Sequence, residues 1–167
     1  MICDTHCSTE VSNLTCTLDL GLVADRTESI KWRNIPKLKE ALQLLVQRFD
    51  ISADKTHVSY LTSARSSKLQ NTFNDAAYHS QAAILTLISG SIKNLGRQTR
   101  LDRAIKAANE QMFALNNGLR PGVGKTMVLF TDGRTHPTSK DMSGHVAALK
   151  VTPLVAANLR GDHILEG

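Results

Sequence analysis

The sequence predicts an α/β domain with a doubly wound, mostly parallel central sheet and helices on both faces. Short apolar runs typical of buried strands alternate with segments whose apolar residues recur three and four positions apart, and two of the strands end in an aspartate. With 167 residues, of which 41% are hydrophobic, the chain can bury the core of one such domain without disulfides or a structural metal.

The elements of the first half follow in the order that this sheet requires. Residues 18–24 form an apolar run that ends at Asp25 and predict the first buried strand. Residues 35–49 carry apolar side chains at helical spacing, which predicts an amphipathic helix. Residues 56–62 alternate like a half-buried strand, and a weaker strand is predicted over 68–73.

The second half repeats the alternation of helix and strand. Apolar residues at helical spacing predict helices over 80–92 and 101–115. A turn rich in Gly, Asn and Pro then leads into residues 125–133, which predict another buried strand that ends in an aspartate. A helix over 140–149 and a strand over 151–157 follow, so right-handed crossovers and a mostly parallel sheet are expected.

Hydroxyls and carboxylates gather beyond the carboxyl ends of the predicted strands, where such sheets bind ligands. Asp25, Thr27 and Ser29 alternate after the first strand, so their oxygens can converge, and Thr99 and Asp132 add a hydroxyl and a carboxylate. Oxygen ligands with few carboxylates suit Mg²⁺, which keeps several waters. Helix capping is the alternative for Thr27 and Ser29, because hydroxyls accept hydrogen bonds from free N–H groups at a helix start.

These residues carry a family resemblance. Asp25-x-Thr27-x-Ser29, Thr99 within residues 96–100, and Phe130-Thr131-Asp132-Gly133 fall in the order and at the separations seen in von Willebrand factor type A domains. The resemblance covers about residues 18–157 and implies a Rossmann-like fold. The chain resembles the extracellular matrix and adhesion members of the family, including collagen-associated proteins and coral skeletal organic matrix or coadhesin-like proteins.

The resemblance implies a metal-ion-dependent adhesion site. In such a site Thr27, Ser29 and Thr99 would bind Mg²⁺ directly, or Mn²⁺ in its place, and Asp25 and Asp132 would act largely through water. An Asp or Glu of a protein partner would complete the coordination, because few direct carboxylates leave the cation electrophilic.

The sequence departs from the family pattern around this site. Thr27 replaces the usual serine, and Glu28 stands where a small residue is usual, so its carboxylate either competes with a ligand or points to solvent. Arg26 and Arg100 flank the site, where they either attract an acidic partner or oppose the cation.

The chain is expected to divide into a cysteine-containing segment, residues 1–16, and a domain over 17–167 that lacks the last strand and helix usual in the family. An odd number of cysteines near a terminus predicts bridges to a further segment or another chain. The three candidates for disulfides are Cys3, Cys7 and Cys16. Asn13 begins a glycosylation sequon, which favours secretion, although no signal peptide is visible in this sequence.

The predicted function is a non-catalytic, extracellular module that uses Mg²⁺ to bind acidic groups of matrix or cell-surface proteins, in a skeletal organic matrix among other settings. A net charge of +5 permits acidic partners. One alternative is a metal-independent scaffold that binds acidic polysaccharide or protein, and another is an intracellular hydrolase or nucleotide-dependent enzyme. Ser29 lacks a nucleophile elbow, and residues 122–126 lack the first glycine of a phosphate loop, where Leu119 stands. The sequence contains no recognisable nucleic-acid module and no apolar run long enough to span a membrane.

Overall fold

The computed structural model describes residues 17–93, 95–149 and the backbone of 154–158. Within these ranges, five strands form one sheet. They are β1 (Leu18–Asp25), β2 (Thr56–Ser63), β3 (Ser67–Asn71), β4 (Gly124–Thr131) and β5 (Leu154–Asn158). Their spatial order is β3, β2, β1, β4, β5, which places the first strand at the centre of the sheet.

The sheet is parallel except at one edge. β1 pairs in parallel with β2 and β4, and β4 pairs in parallel with β5, whereas β3 runs antiparallel to β2. The register pairs Asp25 with Ser63 and Ala24 with Phe130, so the carboxyl ends of the three central strands meet at one edge. The predicted doubly wound, mostly parallel sheet is confirmed.

Four α-helices accompany these strands in the described ranges. They are α1 (Ile35–Val46), α2 (Gln81–Ser91), α3 (Leu101–Ala107) and α4 (Ser143–Leu149). α2 starts as its sequence predicts, because the Ser80 hydroxyl accepts a hydrogen bond from the Ala83 N–H at 3.3 Å. None of the helices described is both long and apolar enough to cross a bilayer.

Four predicted elements differ from the observed ones, the first being α1, which ends at Val46, three residues before its predicted end. The helix predicted over 101–115 gives way after α3 to a π turn, Ala108–Met112. α4 begins at Ser143 instead of residue 140, because the Asp141 carboxylate binds the N–H and hydroxyl of Ser143. β2 is buried on both faces instead of one, since helices cover both sides of the sheet.

Two apolar layers enclose the sheet, which confirms the prediction of helices on both faces. One layer packs α1 and α2 against alternate residues of the central strands, including Leu22 of β1 and Tyr60 of β2. The other packs α3, the π turn and α4 against the opposite face, including Val23 of β1. Successive residues of a strand point to opposite faces, so the central strands contribute to both layers.

Gly21 in β1 allows the π turn to approach the sheet closely. A Cβ atom at this position would lie 2.6 Å from both Met112 Sδ and the Phe113 ring. The contact therefore requires glycine, and it ties the centre of the sheet to the segment that follows α3.

A buried ion pair fixes the end of the sheet opposite the carboxyl edge. Asp19 is fully buried, and its two carboxylate oxygens accept hydrogen bonds from the Arg120 backbone N–H and Nε, each at 2.8 Å. Arg120 Nη2 also donates to the carbonyl oxygens of Leu18 and Lys55 at 2.9 and 2.8 Å. This arginine therefore joins the starts of β1, β2 and β4.

Candidate functional site

Three hydroxyl groups meet at the carboxyl edge of the sheet. Thr27 Oγ1 lies 2.7 Å from Ser29 Oγ and 2.8 Å from Thr99 Oγ1, and the last two oxygens are 3.3 Å apart. Seventy-two residues separate Thr27 from Thr99 in the chain. The structure thus brings together the three hydroxyls that the sequence singled out, and we call them the hydroxyl triad.

Main-chain hydrogen bonds hold the two segments of the triad together. The Glu28 N–H donates to the Gly96 carbonyl oxygen and the Gly96 N–H donates to the Arg26 carbonyl oxygen, both at 2.9 Å. A Cβ atom at Gly96 would lie 2.3 Å from Ala64 Cβ, so only glycine permits this approach. The His136 N–H, in the loop after β4, donates to the Thr99 carbonyl oxygen at 2.8 Å.

The two predicted carboxylates lie beside the triad segments and are buried, with Asp25 3% and Asp132 5% exposed. Asp25 Oδ1 accepts from the Thr27 N–H at 3.0 Å, and Oδ2 accepts from the Thr131 hydroxyl at 3.2 Å. Asp132 Oδ1 accepts from the Arg134 N–H at 3.1 Å. These hydrogen bonds fix the orientation of both carboxylates.

Burial changes the protonation of Asp25. The pKa of Asp25 is raised from 3.8 to about 6, chiefly by desolvation and to a smaller extent by the nearby Asp132 charge, while hydrogen bonds from Thr27 and Thr131 oppose the rise. An ionised Asp25 is therefore costly in the metal-free protein at neutral pH. A cation beside it would remove part of that cost.

The donor set fits a hard cation. It consists of three hydroxyl oxygens and two carboxylates, and Mg²⁺ prefers oxygen ligands with one or two carboxylates. Among the described residues, no three His, Cys, Asp or Glu side chains are grouped as metal ligands. A cation held by the predicted residues would have hydroxyl oxygens among its ligands.

Neighbouring residues bear on three of the alternatives raised by the sequence. Thr27 precedes the 3-10 turn Glu28–Ile30, but its side chain makes no capping hydrogen bond, and its hydroxyl contacts the triad instead. Glu28 is exposed to solvent. Arg100 donates from Nε and Nη2 to the Asp102 carboxylate at 2.9 and 2.7 Å, so its charge is paired within the domain. The same contact holds the pKa of Asp102 well below its usual range.

Two residues that matter for the geometry were not predicted. Thr131 orients Asp25 by donating a hydrogen bond to its carboxylate, and the register of β1 and β4 places the two residues side by side. The sequence signal for this role was the position of Thr131 next to Asp132. Gly96 sets the path of the Thr99 loop, and only its residue type pointed to a close backbone approach. The predicted glycosylation site Asn13 and the cysteines Cys3, Cys7 and Cys16 lie outside the described residues.

Comparisons of the sequence find relatives among adhesion and matrix proteins. Integrin alpha-2 of Bos taurus is 30% identical over 124 residues, 74% of this chain and 10% of that protein. Matrilin-1 of Gallus gallus is 25% identical over 150 residues, 86% of this chain and 30% of that protein. The chain therefore spans less than a third of the length of these relatives.

Solved structures share the fold. Proximal thread matrix protein 1 from the mussel byssus, in its crystal form 2, aligns with a TM-score of 0.74 and 18% identity over 92% of this chain and 38% of that chain. The same protein with a zinc occupied MIDAS motif aligns with a TM-score of 0.72 over 86% of this chain and 38% of that chain.

The family profile described as the von Willebrand factor type A domain matches residues 19–162, which include all five strands and every residue of the candidate site. The sheet order, the helices on both faces and this match lead to one conclusion. The chain belongs to the von Willebrand factor type A domain family.

Proposed function

We propose that this chain is a non-catalytic adhesion or matrix module that binds Mg²⁺ at the hydroxyl triad and, through the cation, a carboxylate of a protein partner. The convergence of Thr27, Ser29 and Thr99 within 3.3 Å is the observation that carries this proposal. Mn²⁺ has the same preference for oxygen ligands and is the expected substitute.

Each residue has a part in the proposed site. Thr27, Ser29 and Thr99 would hold the cation, which supplies an electrophilic position for an incoming carboxylate. Asp25 and Asp132 would balance its charge from the buried layer beside the triad, where Asp25 is already held by two hydrogen bonds. Because neither carboxylate lies among the three triad oxygens, the cation would keep affinity for an acidic partner.

The relatives support a role outside the cell. Integrin alpha-2, matrilin-1 and a thread matrix protein are the similar proteins, and the last has a form with a zinc occupied MIDAS motif. We infer that this chain is secreted and works in an extracellular matrix. The skeletal organic matrix expected from the sequence stays a prediction.

Calorimetry on the purified chain tests the metal site. Titration with MgCl₂ and MnCl₂ is expected to give saturable binding, weakened at least about tenfold by Thr99→Val, which removes one hydroxyl and keeps the shape. Thr72→Val is the matched control, because the Thr72 hydroxyl donates only to Asn74 in the loop after β3. Equal binding by the Thr99→Val and unsubstituted chains would contradict the proposal, as would the lack of saturable binding.

A further inference from the structure

A groove lies between α2 and the edge strand β3, on the sheet face that α1 and α2 cover. Its volume is about 890 Å³, within the range of about 300–1,000 Å³ typical of ligand pockets. It exists because α2 turns small residues, Ala83, Gly90 and Ser91, towards the strand. Three of its lining residues are held by hydrogen bonds, from Gln70 Nε2 to Thr62 Oγ1 at 2.7 Å and between the hydroxyls of Ser91 and the buried Tyr60 at 3.0 Å.

The charges of the groove have one sign. Arg26, Lys68 and Lys93 are among its lining residues, and no aspartate or glutamate lines it within the part of the chain that the structure describes. Lys68 and Lys93 are exposed, and neither has an ion-pair partner within residues 17–93 and 95–149. The groove therefore favours an anionic ligand.

The remaining lining is partly apolar and partly polar, with polar side chains from Thr62, Gln70, Thr86 and Ser91. Ala77, Tyr78, Ala82 and Leu87 contribute apolar side chains to the lining. A sulfated sugar carries charge and hydroxyls along its length, so it would make little apolar contact with these side chains. A peptide offers both carboxylates and an apolar side chain, so the mixed lining favours a peptide.

We propose that this groove binds an acidic peptide segment without a divalent cation, with carboxylates at Lys68 and Lys93 and an apolar side chain against Tyr78 and Leu87. This is a second site, separate from the function proposed above, because it uses no residue of the hydroxyl triad. Arg26 lies between Asp25 and Thr27 in the chain, so the groove begins beside the candidate metal site.

Fluorescence anisotropy tests the proposal with a short labelled peptide of glutamates around one central leucine, titrated with the full chain in EDTA. The double variant Lys68→Glu/Lys93→Glu is expected to weaken binding by about tenfold or more, because two attractive contacts become repulsive. Lys37→Glu/Arg48→Glu is the matched control: it changes the net charge equally at two exposed basic residues that do not line the groove and have no ion-pair partner within residues 17–93 and 95–149.

A second variant blocks the groove without changing its charge. A Cβ atom at Gly90 would meet no atom within 4 Å, so Gly90→Leu extends into open space in the groove. Leucine also has a higher helix propensity than glycine, so the variant is expected to fold. It should weaken peptide binding several-fold while thermal unfolding shows an intact domain.

Several outcomes overturn the proposal. They are a lack of saturable peptide binding, equal loss in the Lys37/Arg48 control, or unchanged binding by Gly90→Leu. A heparin fragment that binds through Lys68 and Lys93, when the peptide does not, assigns the groove to polysaccharide instead. Thr99→Val in EDTA should bind the peptide normally, so failure of the metal site and failure of the groove are distinguishable.

Discussion

Replacing Asp25 by asparagine is expected to stabilise the metal-free protein at neutral pH. Asp25 is 3% exposed, and burial raises its pKa from 3.8 to about 6. Between those pH values the folded state binds more protons than the unfolded state. The folded protein therefore loses stability as the pH rises from about 4 to about 6, and the loss is complete above that window.

The size of the effect follows from the two pKa values. A difference of about 2 in pKa, at about 1.4 kcal/mol for each unit, corresponds to about 3 kcal/mol at neutral pH. Asparagine keeps an oxygen acceptor for the Thr27 N–H, and its amide can donate to the Thr131 hydroxyl, which already accepts from the Gly133 N–H. The expected gain in the free energy of unfolding is therefore about 3 kcal/mol, reduced by the free energy needed to rearrange the Thr131 hydroxyl.

Urea unfolding in EDTA measures this gain at about pH 7.5 and at about pH 4. Asp25→Asn should unfold at a clearly higher urea concentration at the upper pH, and the two proteins should converge at the lower pH. Asp54→Asn, at an exposed residue in the turn before β2, is the control. A destabilised Asp25→Asn variant at the upper pH, or an equal gain at both pH values, would refute the reasoning.

Three further predictions concern stability, each measured by chemical unfolding. Arg120→Ala should cost about 3–5 kcal/mol, because it removes the guanidinium that pairs with the buried Asp19 carboxylate and leaves only the backbone N–H of residue 120 as a donor from this position; a cost under about 1 kcal/mol would contradict this. Gly21→Ala should cost about 1–3 kcal/mol, because its Cβ would clash with the π turn. Gly90→Ala in α2 should instead stabilise by about 1 kcal/mol, because its Cβ meets open space and alanine favours the helix. Equal effects of the two variants would argue against the contact between Gly21 and the π turn. Burial lowers the pKa of His57, so the contribution of this residue to stability should fall as the pH drops below about 6.5, opposite to the Asp25 effect; His57→Phe should therefore gain stability relative to the unsubstituted chain as the pH falls, and a pH-independent difference would contradict this.

The sequence predicted the central strands well because their signal is local. β1 and β4 are continuous apolar runs that end in an aspartate, and each observed boundary lies within about two residues of the predicted one. The break after α3 was not predictable in this way. It depends on Met112 and Phe113 packing over Gly21, about ninety residues earlier in the chain, and helical spacing carries no trace of that contact.

The candidate site also has one part that local sequence predicts and one part that depends on distant contacts. Spacing alone predicts that Thr27 and Ser29 converge, because both follow one strand. Thr99 reaches them only because Gly96 packs against Ala64 and pairs with the chain beside Thr27, and the family resemblance supplied this link. The groove was not predicted at all, since it depends on the separation between α2 and β3.

Main-chain hydrogen bonds hold the Thr99 loop, so the position of the hydroxyl triad does not depend on the side chains next to it. Main-chain bonds at Gly96 and Thr99 fix the loop, and among the described residues the side chains of Arg97 and Gln98 form none of these bonds. Both side chains can therefore be exchanged without moving the hydroxyls. A library at these two positions would alter which partners fit around the site while the scaffold stays the same, which makes the loop a natural place to redirect binding by design.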